Sequence, residues 1–398
     1  MNEYNSNMEI SSGRFYYILV FCLGTVLFFL PSFVPPSLSY YLSYAMIASS
    51  LFIIIIKNRS IANTFNLPVI LFLISVIIAG VSTTRSWNQS LFDTVKSHIR
   101  YLSFILFFLL IIFKVKIPEI EKMIIILGVL YIIVYAASFM AYPKVLFGNP
   151  SKYGDERGFQ RIVSQGTAFL YLFSFFSLDK LLKKPKITWL IIYLVTLVCI
   201  VMTLTRTIIA TSFVFSTLYI LRKASYIKKI LVIMVLTCSL FLILRSNIFN
   251  ILLKETQSET ADIKNNVRIL SSNYYLNYFS PDTFSRIFGN GVPDDDSSYG
   301  TFCRYIEERF GFYVSDIGYL GLYVRFGLIA VLAYVILIYK TIKIKVPEEY
   351  LYCKYFLYFI FAVSLIIDSS FDPGCAPSII FAIYILSSDS LSLSTVKA

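Results

Sequence analysis

Long apolar segments alternate with short polar turns along most of the 398-residue chain. Segments of this kind with few charges are typical of transmembrane helices, because backbone groups inside a bilayer must be hydrogen-bonded within their own segment. The pattern predicts twelve such helices, and eleven is the alternative count because several segments are shorter than the roughly 20 residues that a bilayer core requires. The predicted segments are 15–30, 40–56, 67–81, 101–113, 124–141, 164–178, 187–204, 207–221, 230–244, 317–339, 351–367 and 377–386.

The composition agrees with this pattern and excludes a soluble globular protein. Hydrophobic residues make up 57% of the chain, aromatic residues 17%, and the mean hydropathy is +0.73. We therefore expect an all-α polytopic membrane protein with one integral membrane domain over residues 1–398. The polar stretch before the first segment contains Glu3 and Glu9 and is followed by no clear small-residue cleavage site, so the first helix is expected to be retained.

Lysine and arginine divide between the two sides of the predicted membrane. The lysine-rich turns all follow an even number of crossings, which predicts that these turns and both chain termini lie in the cytoplasm. This bias accounts for the net charge of +12 without any need for nucleic acid as a partner. The lysines are Lys57, Lys114, Lys116, Lys122, Lys180, Lys183, Lys184, Lys186, Lys223, Lys228, Lys229, Lys340, Lys343 and Lys345.

Arginine is concentrated on the opposite side, against the usual topological bias. A planar guanidinium group suits bidentate recognition of phosphate better than an ammonium group does. The pattern therefore predicts an anionic ligand outside the cytoplasm. The arginines on that side are Arg85, Arg100, Arg157, Arg161, Arg206, Arg245, Arg268, Arg286, Arg304, Arg309 and Arg325.

One predicted loop, over residues 245–316 between the ninth and tenth helices, is much longer than the others, and loops of that length are commonly functional. Its first half, residues 254–278, has the pattern of an amphipathic helix lying on the bundle. Gly289 and Gly291 flank Asn290 and permit close backbone approach, although this tripeptide is also an ordinary turn sequence. The run Asp294 to Asp296 could ligate a divalent cation, but a solvated acidic turn is favoured because no spaced ligand loop surrounds it. No metal is expected.

The end of this loop carries a second candidate, Ser315 and Asp316, at the mouth of the tenth helix. Asp316 suits general-base work only if it is partly buried, because an exposed carboxylate is a feeble base. Cys303 and Cys375 are the two cysteines predicted to lie outside, and a disulfide between them is a further expectation.

The order of these features resembles that in the O-antigen polymerase (Wzy) and O-antigen ligase superfamily. The shared features are an arginine at the outer start of a helix, Arg206, an early loop arginine, Arg268, the Phe-Gly-Asn-Gly sequence ending at Gly291, the polar pair at 315–316, and the sequence GYLGLYVRFGLIAVL from 318. The resemblance covers residues 206–332, whereas the earlier helices match only in number and hydrophobicity.

The resemblance implies a GT-C-like membrane glycosyltransferase that faces the periplasm or the exterior and acts on undecaprenyl-diphosphate-linked oligosaccharide without a cofactor. In that family, arginines engage the donor diphosphate, and the matching positions are Arg206 and Arg268. Ligases of the superfamily usually carry a catalytic histidine where this chain has Ser315 and Asp316. The single histidine of the chain, His98, lies elsewhere and is interpreted as structural. This departure favours a polymerase.

Most of the candidate arginines also have a structural interpretation. Arg157 and Arg161 would contact substrate or pair with neighbouring acids, and exposed pairs of that sort contribute little. Arg286 is a candidate substrate contact. Arg206 would otherwise be an interface anchor or pair with an acid, and Arg268 would otherwise be an exposed charge on an amphipathic helix. Arg325, about 8 residues into its helix, is a functional candidate by default. Its alternative is a buried pair with Asp368 or Asp372.

The resemblance thus implies a surface polysaccharide repeat-unit polymerase, for O-antigen or capsule, in the bacterial cytoplasmic (inner) membrane. The alternatives are an O-antigen ligase and a flippase or transporter of lipid-linked oligosaccharide. A transporter is typically built from related halves around a charged central path, without a long external loop. The long loop of this chain therefore disfavours a transporter. The expected partners are membrane lipids, a flippase and a chain-length regulator.

Overall fold

The computed structural model describes residues 2–29, 31–57, 63–147, 162, 166–223, 230, 234, 237, 266–367 and 370–395. The regular secondary structure of these residues is helical and includes four short 3₁₀ helices at Leu27–Phe29, Ile99–Ile105, Val314–Ile317 and Glu348–Tyr350. The α-helices are α1 (Asn2–Thr25), α2 (Pro36–Lys57), α3 (Asn66–Ser86), α4 (Leu91–His98), α5 (Leu106–Phe113), α6 (Ile117–Ala141), α7 (Ala168–Lys183), α8 (Ile187–Val201), α9 (Arg206–Lys223), α10 (Val267–Asn277), α11 (Thr283–Phe288), α12 (Ser298–Phe310), α13 (Tyr319–Lys343), α14 (Leu351–Val363) and α15 (Ala376–Thr395).

Five helices in the described part of the chain are long and apolar enough to cross a membrane, as expected for a multi-pass membrane protein. They are most of α2, all of α3, α6 and α13, and the continuous helical stretch Leu91–Phe113. Three shorter apolar helices accompany them, at Gly13–Thr25, Ile187–Val201 and Ala376–Ser388. The predicted ninth segment, 230–244, lies almost entirely outside the described residues.

The fourth predicted segment begins too late. Its helical stretch starts at Leu91, where the Ser90 side chain accepts a hydrogen bond from the Asp93 backbone N–H at 3.1 Å. Such a cap satisfies one of the N–H groups that a helix start leaves without a partner. The charged side chains of Asp93 and Lys96 interrupt the apolar run, so the hydrophobic pattern does not predict this first part of the helix.

The core is a continuous layer of buried aromatic and aliphatic side chains between the helices. Near its centre, the Phe72 ring of α3 stacks on Phe371 with centroids 4.1 Å apart and meets the Phe326 ring of α13 edge-on at 5.6 Å. Lipid is as apolar as these rings, so burial supplies little driving force between helices in a bilayer. The packing therefore stabilises the bundle through close van der Waals contact, and α3 and α13 form its main pair.

A buried ion cluster fixes α7 to α9. The Asp179 side chain is fully buried, lies 2.7 Å from Lys183 Nζ, and accepts hydrogen bonds from Tyr219 and Lys223. Lys223 also donates to the Glu348 carbonyl at 2.6 Å. One carboxylate thus joins α7, α9 and the turn before α14 at the lysine-rich end of the molecule.

The expected disulfide between Cys303 and Cys375 is wrong, because both cysteines are free. Cys303 is buried among the side chains of α10 and α12, whereas Cys375 packs against the main core at the start of α15. Burial raises the pKa of the Cys303 thiol to about 12, so it is a poor source of thiolate.

Candidate functional site

Residues 266–317 form a packed helical layer, hereafter the cap, rather than an open loop. Tyr275 of α10 and Tyr299 of α12 are buried in its small aromatic core with Phe279. The Trp87 ring, just after α3, stacks on Tyr299 with centroids 4.3 Å apart and fixes the cap to the bundle. The amphipathic helix predicted over 254–278 is confirmed from Val267 onward, and residues 254–265 lie outside the described part.

A second set of hydrogen bonds joins the end of α3 to the start of α11. The Asp282 carboxylate accepts hydrogen bonds from the Ser285 backbone N–H at 2.7 Å and from the Ser86 hydroxyl at 2.8 Å. The Ser285 N–H in particular lowers the pKa of the Asp282 carboxyl, because it favours the charged form. These hydrogen bonds at the start of α11 set the direction of the chain that follows it, toward Gly289.

The Phe-Gly-Asn-Gly sequence docks into a break in α13. Helix α13 is interrupted at Gly327, whose φ of 71° and ψ of −169° are not helical. The backbone N–H groups of Asn290 and Gly291 donate to the Val324 and Arg325 carbonyls, both at 2.8 Å. In an unbroken helix those carbonyls would accept from N–H groups four residues later. The cap therefore supplies the hydrogen bonds that the kink removes.

The Asn290 side chain locks this junction. Its Nδ2 donates to the Val324 carbonyl and to Ser280 Oγ, both at 3.0 Å, and its Oδ1 accepts from Trp87 Nε1 at 3.0 Å. The Thr83 hydroxyl donates to the backbone carbonyl of Asn290 at 2.9 Å. Asn290 is 1% exposed, so its polar groups serve the fold rather than a ligand.

Gly289 and Gly291 make their close backbone approaches to the protein itself. A Cβ atom at Gly289 would lie 2.3 Å from the Arg325 carbonyl oxygen, and one at Gly291 would lie 1.8 Å from Thr83 Oγ1. Both glycines are buried. Their positions explain the tripeptide as a docking element between the cap, α3 and α13.

His98 also contacts this junction, in the structural role that the sequence predicts for it. Its Nδ1–H donates to the Thr94 carbonyl at 2.8 Å, and its Nε2 accepts from the Val292 backbone N–H at 3.2 Å. An N–H can only donate, so Nε2 must be the unprotonated nitrogen. Both ring nitrogens are occupied, and the side chain is 6% exposed.

The structure places Asp316 on the surface. It lies in the 3₁₀ helix Val314–Ile317, is exposed, and has the Ser315 hydroxyl 3.5 Å from its Oδ1. That environment lacks the partial burial on which its role as general base depended. Arg268 is also exposed, on α10, which packs against the helix that carries Asp316. These two candidates therefore belong to neighbouring elements of the cap.

The other candidate arginines are dispersed. Arg206 is half-buried at the start of α9, which packs mainly against α14, α7 and α8, whereas the cap packs on α3 and α13. Arg286 is exposed and donates to the Asn277 carbonyl at 3.3 Å. Arg157 and Arg161 lie outside the described residues.

Arg325 lies under the aromatic core of the cap, two residues before the break in α13. It is half-buried, and its charge acts on Tyr275, Tyr299 and Cys303, where it opposes the rise in pKa that burial causes. Of its two expected acidic partners, Asp368 lies outside the described residues, and Asp372 accepts a hydrogen bond from the Gly374 backbone N–H at 2.7 Å.

The acidic run at 294–296 is only partly solvated. Asp294 is buried and Asp296 is exposed, and Lys96 Nζ lies 3.0 Å from the first carboxylate and 2.8 Å from the second. The hydrogen bond from Lys96 lowers the pKa of Asp296. The solvated-turn interpretation is therefore correct for Asp296 and wrong for Asp294. No group of three or more His, Cys, Asp or Glu side chains suited to a metal ion occurs within the described ranges.

An apolar groove of about 500 Å³ runs between α3 and the helical stretch that begins with α4. Its walls include Ile77, Gly80 and Val95, and Arg85 lies at its cap end, over the Phe284 ring at 4.9 Å. The sequence placed Arg85 among the arginines of the outer side but gave no reason to select it, because the groove exists only once α3 and α4 pack together.

Comparisons with protein families, with curated proteins and with solved structures each found no match to this chain.

Proposed function

We propose that this protein is a membrane glycosyltransferase that polymerises the repeat units of a surface polysaccharide. The donor is the growing glycan on undecaprenyl diphosphate, and the acceptor is one lipid-linked repeat unit. The lysine-rich end faces the cytoplasm and the cap faces the opposite side. The observation that carries the proposal is the apolar groove with Arg85 at its cap end.

The groove suits a lipid that carries an anionic head group. Its walls are almost wholly apolar and belong to two helices that are long enough to cross the membrane. A polyprenyl chain gains little by leaving lipid for such a groove, so the benefit is alignment of the chain. Arg85 then meets the phosphate end, and a charge-assisted hydrogen bond of this kind is worth about 1.5–3 kcal/mol.

The chemistry requires stabilisation of a departing diphosphate. An acceptor hydroxyl attacks the anomeric carbon, the bond from that carbon to the diphosphate oxygen breaks, a glycosidic bond forms, and the hydroxyl proton passes to a base. Negative charge grows on the diphosphate as it leaves, and preorganised guanidinium groups lower the energy of that transition state. The broken bond supplies the energy, so no nucleotide sugar is needed on the side that the cap covers.

A polymerase is favoured over a ligase because the residues just before α13 include Ser315 and Asp316 but no histidine. His98 cannot take over as base, since both of its ring nitrogens are already engaged in a buried site. The direct hydrogen bonds between the cap and the broken α13 also give the cap a fixed position over the bundle. A fixed cover suits catalysis better than transport of a large glycan.

The proposal predicts a specific polysaccharide profile. A strain that lacks the gene should carry core capped by a single repeat unit, and the wild-type gene should restore the ladder of longer chains. Arg85→Ala should shorten the ladder and reduce polymer by about tenfold to a hundredfold, because one charged contact to phosphate is lost. Arg206→Ala and Arg268→Ala test the two positions that the family resemblance implies.

The matched control is Arg309→Ala, because Arg309 is an exposed arginine at the end of α12 that does not line the groove. It should restore the full ladder, with membrane expression verified for every variant. Absence of any capped core in the deletion strain would identify a ligase or a flippase instead. A full ladder with all three arginine variants would remove these arginines from the site.

A further inference from the structure

A polar cavity of about 300 Å³ lies beside the apolar groove, and the proposed function as stated does not use it. Four separate chain segments line it: α2, the continuous stretch of α4 and the 3₁₀ helix after it, the turn after Gly291, and the turn before α15. Its polar lining includes Tyr40, Lys96, Arg100, Asp294, Asp295 and Asp372.

The cavity and the groove occupy two faces of one helical stretch. Residues 94, 95, 98, 99 and 102 face the groove, whereas residues 96, 97, 100 and 101 face the cavity. Both sets follow the spacing of a helix face. One helix therefore separates an apolar site from a polar site, as a ligand with a lipid part and a hydrophilic part requires.

The charges that face the cavity do not favour a free anion. Lys96 is already bound to the carboxylates of Asp294 and Asp296. The other cation of the lining, Arg100, is accompanied by two further carboxylates, those of Asp295 and Asp372. The cavity thus offers both hydrogen-bond donors and acceptors without an excess of positive charge, which suits a ligand rich in hydroxyl groups.

Two of these groups are held in place before any ligand arrives. The Arg100 guanidinium lies over the Phe29 ring at 3.9 Å and 6.0 Å from the Tyr40 ring centroid. Asp372 accepts from the Gly374 N–H with one carboxylate oxygen, and the adjoining Phe371 is stacked on Phe72. Side chains fixed in this way lose little entropy when they bind.

We infer that this cavity binds a sugar ring of the lipid-linked glycan. Sugar hydroxyls donate to Asp372 and Asp295 and accept from Arg100, and the apolar face of the ring packs on Tyr40. A volume of about 300 Å³ lies at the small end of the range for small-molecule sites, so it accommodates one ring rather than a long oligosaccharide. The inference rests on the proposed function for the identity of the glycan, although not for the binding itself.

The test measures binding by the purified full-length protein in lipid nanodiscs. The probe is the single-repeat oligosaccharide released by partial hydrolysis of the host's own surface polysaccharide, titrated calorimetrically. Asp372→Asn and Arg100→Gln should each weaken its affinity by about tenfold to a hundredfold, as expected for loss of a hydrogen bond to a charged group. Glu308→Gln, an exposed substitution on α12, should leave the affinity unchanged.

Asp295→Asn keeps the test decisive if Asp372→Asn fails to fold, because Asp295 is exposed and its loss should leave the fold intact. Unchanged affinity in all the cavity variants that fold, or no binding to the wild-type protein, would overturn the inference. Competition by inorganic pyrophosphate would overturn it as well, since it would show an anion site. Binding that depends on Asp372, Asp295 and Arg100 in a protein whose deletion leaves the polysaccharide ladder intact would uphold the sugar site and refute the polymerase.

Discussion

Gly289→Ala is expected to separate the cap from the bundle and to destabilise the protein by about 3–5 kcal/mol. Gly289 has φ of 92° and ψ of 157°, a combination that is essentially restricted to glycine. The new Cβ would also lie 2.3 Å from the Arg325 carbonyl oxygen and 2.6 Å from the Gly327 nitrogen. Both obstacles are backbone atoms, so a side-chain rotation cannot relieve the clash. Thermal unfolding in detergent, followed by size-exclusion chromatography, measures the loss.

Gly311→Ala is the matched control for this substitution. Gly311 also has a positive φ, 68°, but the nearest atom to its Cβ would be Val267 Cγ1 at 3.7 Å, an ordinary contact. Only the backbone strain remains there, about 1–2 kcal/mol. Equal losses of stability for the two variants would show that the junction between the cap and α13 does not hold the structure together.

Asp179→Ala is expected to cost about 3–5 kcal/mol, because it leaves the buried ammonium group of Lys223 without its carboxylate. Lys223 is 8% exposed at its side chain and Asp179 is fully buried, so water cannot replace the lost partner. The variant should unfold at a temperature several degrees lower and accumulate less in membranes. The double variant Asp179→Asn with Lys223→Met should recover part of the loss, since it removes the uncompensated charge.

Glu121→Ala provides the comparison for an accessible pair. Glu121 lies 3.0 Å from Lys180, with 21% and 27% of the two side chains exposed. Partly exposed pairs of this kind contribute up to about 1 kcal/mol. A loss as large as that for Asp179→Ala would mean that burial does not determine the effect, and a small loss for Asp179→Ala would refute the cluster as a structural tie.

Sequence patterns predicted the helical class of the protein and the segments that matter most at the junction. The Phe-Gly-Asn-Gly sequence and the Val-Arg-Phe-Gly sequence of α13 were both selected from the chain, but as separate motifs. Only the structure shows that they bind each other, because their partnership consists of backbone hydrogen bonds and two unusual glycine conformations. Residue types and spacing do not reveal such contacts.

Other features depend on tertiary packing that no local pattern records. Arg100 and Asp372 lie far apart in the chain and share a cavity only because α2, α4 and the start of α15 converge. Arg85 gains its position from the groove beside it. Asp316 was selected because it stands just before a helix, a position that says nothing of its exposure, and the structure leaves its carboxylate on the surface.

The most direct test of the central claim is polymerisation by the purified protein in liposomes that contain only lipid-linked single repeat units. The account predicts products of two or more repeats on one lipid, with release of one undecaprenyl diphosphate for each bond formed and with no nucleotide sugar added. It also predicts that Arg85→Ala makes these products more slowly than Arg309→Ala does. If every repeat unit stays single while the wild-type protein is folded and correctly inserted, the protein is not a polymerase.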